Sequence, residues 1–290
     1  MKFKQDIELI EALAAHFPNS KRNTLRKMLT EGRVLVDGNV AYKAKTIVEV
    51  GSSVTISDRE KAAIYSPPPV PKKPHPRIKI LFEDSDIIVV NKQAGLLSVA
   101  TDKMEPDTLH SRVVDYLQHE DKGDWAFIVH RLDRETSGVM IFAKHKRHKE
   151  YLQAQFAERS VHRVYHALVQ GKPEQERGTI HEWLLEDKFL RIRAVNKRNP
   201  NAKEAITHWS LEDSDEIASL LMLTIETGRR HQIRVGLANI GLPVVGDEQH
   251  GAVGNPIGRI ALHASALELL HPQSEDPVRF EATIPFGPER

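Results

Sequence analysis

"HRLDRETSG", residues 130–138, sets one carboxylate, Asp133, between two arginines, Arg131 and Arg134, around a single short apolar side chain, Leu132. Apolar runs lie on both sides, "AFIV" before it and "VMIFA" after it, so the segment reads as strand, polar loop, strand with the acid in the loop. Two readings compete for such an acid. It is either a surface carboxylate neutralised by its neighbours, which stabilises little, or one kept ionised by nearby guanidinium groups and hydrogen-bond donors. An ionised carboxylate can attack an anomeric carbon or stabilise positive charge there. Glycosidases pair two carboxylates for this work, and Glu135 is the only close second acid.

Outward from this loop, "IKILFEDSDIIVVNK" reads as strand, Asp-Ser turn and buried strand. Residues 147–157 read as a helix with Leu152 and Phe156 one turn apart, and "HRVYHALVQG" as a strand ending at Gly171. "SLLMLTIETGRR" is a further strand, followed by a helix near His231 to Asn239 that stops at Gly241. Strands and helices mix without strict alternation, which predicts an α+β fold rather than a doubly wound parallel sheet.

The 290 residues carry 41 Lys and Arg against 40 Asp and Glu, a net charge of +1 that neither demands nor excludes nucleic acid. No cysteine is present, which excludes disulfides and thiolate metal sites. The 15 histidines are scattered, and the two in "KHKRHKE" (144–150) sit among cations, so no metal site is expected. No phosphate-binding glycine loop, zinc-protease helix motif or nucleophile elbow occurs. The opening "MKFKQDIELIEALAAHF" is broken by Asp6, Glu8 and Glu11, and no apolar run approaches the roughly 18 residues of a membrane span. A cytoplasmic protein without membrane attachment is expected.

The clearest seam is "SPPPVPKKPHPR", where six prolines fall between Pro67 and Pro76. Prolines fix φ and remove donors, so this stretch reads as an extended linker, 61–77, between a domain at 1–60 and a domain at 78–290. In the first, Ile10, Leu13, Ala14 and Phe17 share one helical face, and Ser20 precedes a second helix with Leu25, Met28 and Leu29. "RVLVDGNVAY" then alternates around Asp37-Gly38, a hairpin signal.

Helix, helix, hairpin in this order resembles the small RNA-binding domain of ribosomal protein S-four, above all in "SKRNTLRKMLTEGRVLVDGNV". On that resemblance Lys21, Arg22, Arg26, Lys27 and Arg33 are expected to meet RNA phosphates.

The string at 130–138 is similar to the H-R-L-D-x-x-T-S-G signature of RluA-type pseudouridine synthases. The likeness extends over almost all of 78–290: "NKQAG" with Gln93 in place of the usual proline, "HRVYHALVQG", "TGRRHQIRVGLANIGLPVVGDEQHG" and "RIALHASALELLHP". Gly236 stands where histidine is common.

This resemblance implies a pseudouridine synthase fold, with a central, mostly antiparallel sheet flanked by helices, behind a small N-terminal α/β RNA-binding domain. It implies that Asp133 detaches uracil from ribose, after which the base rotates and rejoins through carbon. Arg234 is then the partner of Asp133, and Tyr165 the residue that stacks on the uracil. Leu262 walls the pocket, and Arg131 and Arg134 hold phosphate or the flipped nucleotide. No cofactor, metal or second substrate is expected, because isomerisation conserves every atom. The expected partner is RNA, ribosomal RNA of the large subunit before transfer RNA, and the chain is expected to act as a monomer. The rivals are a catalytically silent RNA-binding or ribosome-assembly factor on the same fold, and a hydrolase with a second positioned carboxylate.

Overall fold

Apolar alternation and turn residues place the elements much as the sequence suggests. The computed structural model describes residues 5–18, 20, 22–57, 78–120 and 122–287. Lys21 and the stretch 61–77 lie outside the described residues.

The N-terminal elements are β1 (Ile7–Glu8), α1 (Leu9–His16), α2 (Arg22–Thr30), β2 (Val34–Val36), β3 (Asn39–Val40), β4 (Ile47–Val48) and β5 (Val54–Ile56). Leu9 and Leu13 of α1 and Leu25 and Leu29 of α2 close a core of their own on Val34, Val48 and Val54. Asp37-Gly38 makes the turn between β2 and β3, as its chemistry predicts.

The rest of the chain contributes β6 (Lys79–Glu83), β7 (Ile87–Lys92), α3 (Leu109–Glu120), β8 (Phe127–Ile128), β9 (Ser137–Ala143), α4 (Lys146–Ala157) and β10 (His162–Gln170). It continues with β11 (Arg177–Glu186), β12 (Ile192–Ala194), β13 (Lys203–Ser214), β14 (Ala218–Ile225), α5 (Gln232–Asn239), β15 (Leu262–Leu270) and β16 (Pro277–Glu281). These strands form one sheet in the order β12-β11-β13-β14-β10-β15-β9-β7-β6, with β16 beside β15 and β8 beside β9. Among the described residues every pairing in it is antiparallel except β9 with β15. The fold is α+β, as expected.

The runs "IIVV" and "VMIFA" lack polar alternation because both faces of β7 and β9 are covered. Ile88, Val90, Met140 and Phe142 meet Leu109, Val113 and Leu117 of α3. Ile87, Val89, Val139 and Ile141 face Leu152 of α4 together with Leu267 and Phe280. Each such side chain contributes about 1.5–3 kcal/mol relative to its exposed state.

Where β9 and β15 run parallel, Ser137 pairs with His263 and Gly138 with Ala264. Gly138 has φ +120°, and a Cβ there would collide with the Ala264 backbone, so the glycine closing "HRLDRETSG" is what lets the two strands meet. The quoted loop therefore hangs over the junction between the two halves of the sheet. Among the described residues no helix is long and apolar enough to cross a membrane.

Candidate active site

Asp133 opens a β-turn closed by the Thr136 N–H on the Asp133 carbonyl at 3.2 Å. The loop is held from behind by residues 92–98. Ser98 Oγ donates to the Leu132 carbonyl at 2.6 Å and accepts from the Leu132 N–H at 3.1 Å. Gly95 N–H reaches the Arg134 carbonyl at 2.9 Å.

Lys92, fully buried, ties both loops together. Its ammonium donates to the carbonyls of Leu96 (2.6 Å), Arg134 (2.9 Å) and Gln93 (3.1 Å). Burial pushes this ammonium down to about 7, against the pull of the Glu135 and Asp133 carboxylates. The Gln93 side chain is exposed, and only its backbone serves the site, so this departure from the family pattern leaves the clamp intact. Lys92→Met is expected to lower stability by roughly 2–4 kcal/mol, because buried carbonyls lose their donor at about 1–3 kcal/mol each. Turnover should fall with it as the Asp133 loop loosens. Thermal unfolding and a turnover assay check this, and a Met variant unchanged in both would refute the clamp.

Two cavities flank Asp133. One, of about 740 Å³, is lined by Asp133, Tyr165, Leu262, Arg131, Arg163 and Arg234 among others. The other, of about 770 Å³, shares Asp133, Arg131 and Arg234 and adds Arg134, Glu135 and Arg259. The structure thus brings Asp133, Tyr165, Leu262, Arg131 and Arg234 to one cleft. Glu135 shares the second cavity with Asp133 but does not line the first, where Tyr165 and Leu262 lie. Tyr165 sits beside a register shift between β10 and β15, a bulge that re-aims neighbouring side chains. Burial, and then the Asp133 charge, push its phenol up against the opposing Arg163 cation, so it keeps its proton at neutral pH.

The expected pair between Arg234 and Asp133 is not formed. Arg234 holds Asp247 through both forks, Nε to Oδ2 at 2.6 Å and a terminal nitrogen to Oδ1 at 2.7 Å, with Gln249 at 3.3 Å. The reason is desolvation. The Asp247 side chain is fully buried and needs a counter-charge, whereas Asp133 is only half-buried. Nor do Arg131 and Arg134 pair with Asp133: both are exposed, and Arg134 Nε reaches the Gly95 carbonyl at 3.3 Å.

What Asp133 does meet is the start of α5. Its Oδ2 lies 3.4 Å from the backbone N–H of His231, the N-cap residue, where the helix dipole favours negative charge. His231 adopts φ +51°, a left-handed conformation uncommon outside glycine but one that histidine, asparagine and aspartate visit more than most. The loop is fixed by Thr227 and Gln232. Thr227 Oγ1 donates to Gln232 Oε1 at 2.7 Å, and Gln232 Nε2 donates to the Ile206 carbonyl at 3.0 Å. Burial, with the nearby Arg234 cation, pushes the His231 imidazole down to about 4, so it stays neutral beside Asp133.

Gly236 points away from the cleft: a Cβ there would lie 3.1 Å from Ile180 Cγ2 and 3.8 Å from Glu182 Oε2 on β11. A histidine at this position would press on β11.

Among the described residues the N-terminal cations all have neighbours within the chain. Arg22 is exposed and bonded to Glu11, while Arg33 is engaged by the Ser57 carbonyl at 3.2 Å and by Glu31 at 3.5 Å. Helix α2 lies against β15 and β16, with Arg26 half-buried near Tyr151 and Lys27 half-buried near Glu226. Lys43 Nζ stands 3.0 Å from Asp276 across the same contact. Sequence reasoning missed Lys92, Asp247 and the His231 backbone, although each lay inside a quoted motif. A lysine after a buried strand and an acid after glycine were the available signals.

Residues 86–239 match the RNA pseudouridylate synthase family. The ribosomal large subunit pseudouridine synthase D of Escherichia coli K12 is 33% identical, over 96% of this chain and 87% of its own. An uncharacterised RNA pseudouridine synthase of Bacillus subtilis is 33% identical, over 82% of this chain and 78% of its own. Among solved structures, human RNA pseudouridylate synthase domain containing 1 superposes with a TM-score of 0.59 at 26% identity, over 74% of this chain and 87% of its own. Human RNA pseudouridylate synthase domain containing 4 superposes with a TM-score of 0.60 at 24% identity, over 71% of this chain and 88% of its own. The chain belongs to the RNA pseudouridylate synthases and isomerises uridine to pseudouridine in RNA.

Proposed function

We propose that the chain modifies uridines of large-subunit ribosomal RNA, in the cytoplasm, with Asp133 as the reacting carboxylate. The observation that carries the residue assignment is the placement of Asp133. It opens a clamped turn over the cleft, its carboxylate meets the N-terminus of α5, and Tyr165 and Leu262 wall the same cavity.

The reaction exchanges the N1–C1′ bond for a C5–C1′ bond, while N1 gains a proton and C5 loses one. No atom is imported, so positioning and electrostatics suffice. Leu262 and Tyr165 supply the apolar wall and the ring against which an extruded uracil packs. Arg131, exposed at the rim of both cavities, and Arg134, at the rim of the second, suit contacts to the RNA strand. Arg234 acts through α5: its pair with Asp247 fixes the first turn of the helix, which presents the His231 N–H to Asp133. This makes Arg234 a positioning residue.

Residues 1–60 support the ribosomal assignment, because the likeness to the large-subunit enzyme runs over 96% of the chain and so includes this domain. Lys21, Arg22 and Arg33 are its candidate RNA contacts, together with Arg26 and Lys27 once α2 leaves the catalytic domain on RNA binding. The β11–β12 turn adds an exposed Phe189 with the Lys188 and Arg191 cations 5.1 and 5.9 Å from its ring centre, suited to a base and its phosphates.

Pseudouridine mapping of all cellular RNA with and without this protein tests the substrate class. Sites in large-subunit ribosomal RNA are expected to vanish. Loss confined to transfer RNA would overturn the ribosomal reading.

A further inference from the structure

Arg163 lies two residues before Tyr165 on β10, so both side chains leave the strand on one face, toward the cleft. Its Nε is buried and makes no hydrogen bond. A terminal nitrogen reaches only the Glu226 carbonyl, at 3.5 Å, and the guanidinium stands 5.8 Å from the ring centre of Phe156. Among the described residues no carboxylate pairs with it.

Two neighbouring cations have carboxylate partners, and a third has a carbonyl at ordinary hydrogen-bond distance. Arg230 is bonded to Glu186, Arg159 lies 3.7 Å from Glu204, and Arg229 Nε donates to the Glu204 carbonyl at 3.0 Å. Burial, and then the nearby Arg159 charge, weigh against the Arg163 cation. The fold nevertheless keeps room for it. A Cβ on Gly228 would fall 2.7 Å from an Arg163 terminal nitrogen, so the glycine of "TGRR" is what lets the guanidinium lie there.

A partly desolvated guanidinium with no counter-ion is costly, and an incoming anion relieves that cost. We infer that Arg163 is the seat of one backbone phosphate of the bound RNA, next to the target uridine, and that Phe156 and Gly228 hold its fork open for two phosphate oxygens. The inference rests on the reading above only in taking RNA as the ligand. A guanidinium fits a phosphate bidentately, whereas a lysine offers a point charge. One phosphate fixed here places the flipped nucleotide along β10, beneath Tyr165.

The test is binding of an RNA hairpin of about 20 nucleotides with a uridine in its loop, titrated with salt. The same hairpin is then made with a single neutral methylphosphonate linkage on either side of that uridine. Arg163→Gln is expected to weaken binding about tenfold at low salt and to reduce the salt slope by about 0.7 to 0.9, the loss of one phosphate contact. One of the two methylphosphonates should weaken wild-type binding and leave the Gln variant no worse than it already is. Arg163→Lys should recover part of the loss, and it carries the methylphosphonate comparison if the Gln variant is poorly folded.

If Arg163 only supports the Tyr165 phenol, the salt slope stays at the wild-type value, both variants lose as much as wild type on each methylphosphonate, and the inference is overturned. Wild-type binding without salt dependence would instead sink the RNA reading itself, so the two failures are distinguishable.

Discussion

Arg234→Ala and Asp247→Ala are each expected to destabilise the protein by about 3–5 kcal/mol, the cost of leaving one charge of a buried pair alone. Both residues are almost wholly inaccessible, and the fork between them is bidentate. Each change should also cut turnover by about a hundredfold, because α5 then no longer holds the His231 N–H against Asp133, and small misplacements near reacting atoms cost that much. Since the two side chains act as one unit, the double variant should be no worse than the worse single one. Chemical denaturation and single-turnover kinetics on the three variants check this. An Asp247→Ala protein with normal turnover beside an inactive, fully stable Arg234→Ala would mean that Arg234 serves Asp133 directly, and that the pairing with Asp247 is incidental.

That pairing marks where sequence reasoning stopped. "TGRRHQIR" and "GDEQHG" were both legible as parts of one site, and their letters have physical jobs. Thr227 and Gln232 clamp the loop to β13, Gly228 clears Arg163, and Asp247 anchors Arg234. A linear string cannot say which of two acids an arginine will choose, since the choice follows burial, which only the fold sets.

The flanking arginines of Asp133 failed as a guide for the same reason. Adjacency in sequence placed them at its sides, while the fold leaves both exposed to solvent.

The strands that carry the site were readable because they are apolar on both faces or alternate cleanly. Strands β11 to β13 were not, since their faces are half-exposed and their polar residues interrupt any period. Helix α3 carries a regular stripe, Leu109, Val113 and Leu117, at helical spacing. Arg163 stayed hidden as one more basic letter in "HRVYH". Its lack of a counter-ion is a property of the packed cleft.

Asp133→Asn is the change with the largest expected effect on chemistry and the smallest on everything else. The side chain is half-buried, forms no ion pair among the described residues, and touches α5 only through a backbone N–H at 3.4 Å. An amide of the same shape should therefore lower stability by no more than about 1 kcal/mol, the favourable term of a charge at a helix N-terminus. RNA affinity should also hold, because it comes mainly from phosphate contacts elsewhere. The amide lacks the negative charge needed to attack the sugar or to remove a proton from it. Turnover should fall by at least about a thousandfold, roughly 4 kcal/mol of barrier.

Tritium release reads this most directly. RNA bearing tritium at C5 of its uridines loses the label to water only when C5 becomes bonded to ribose. With purified protein and no other addition, wild type should release the label in a single turnover. Asp133→Asn should bind the same RNA and release none above background. Retention of more than a tenth of the wild-type rate by Asp133→Asn would contradict the assignment of this carboxylate, and with it the account of how the cleft works.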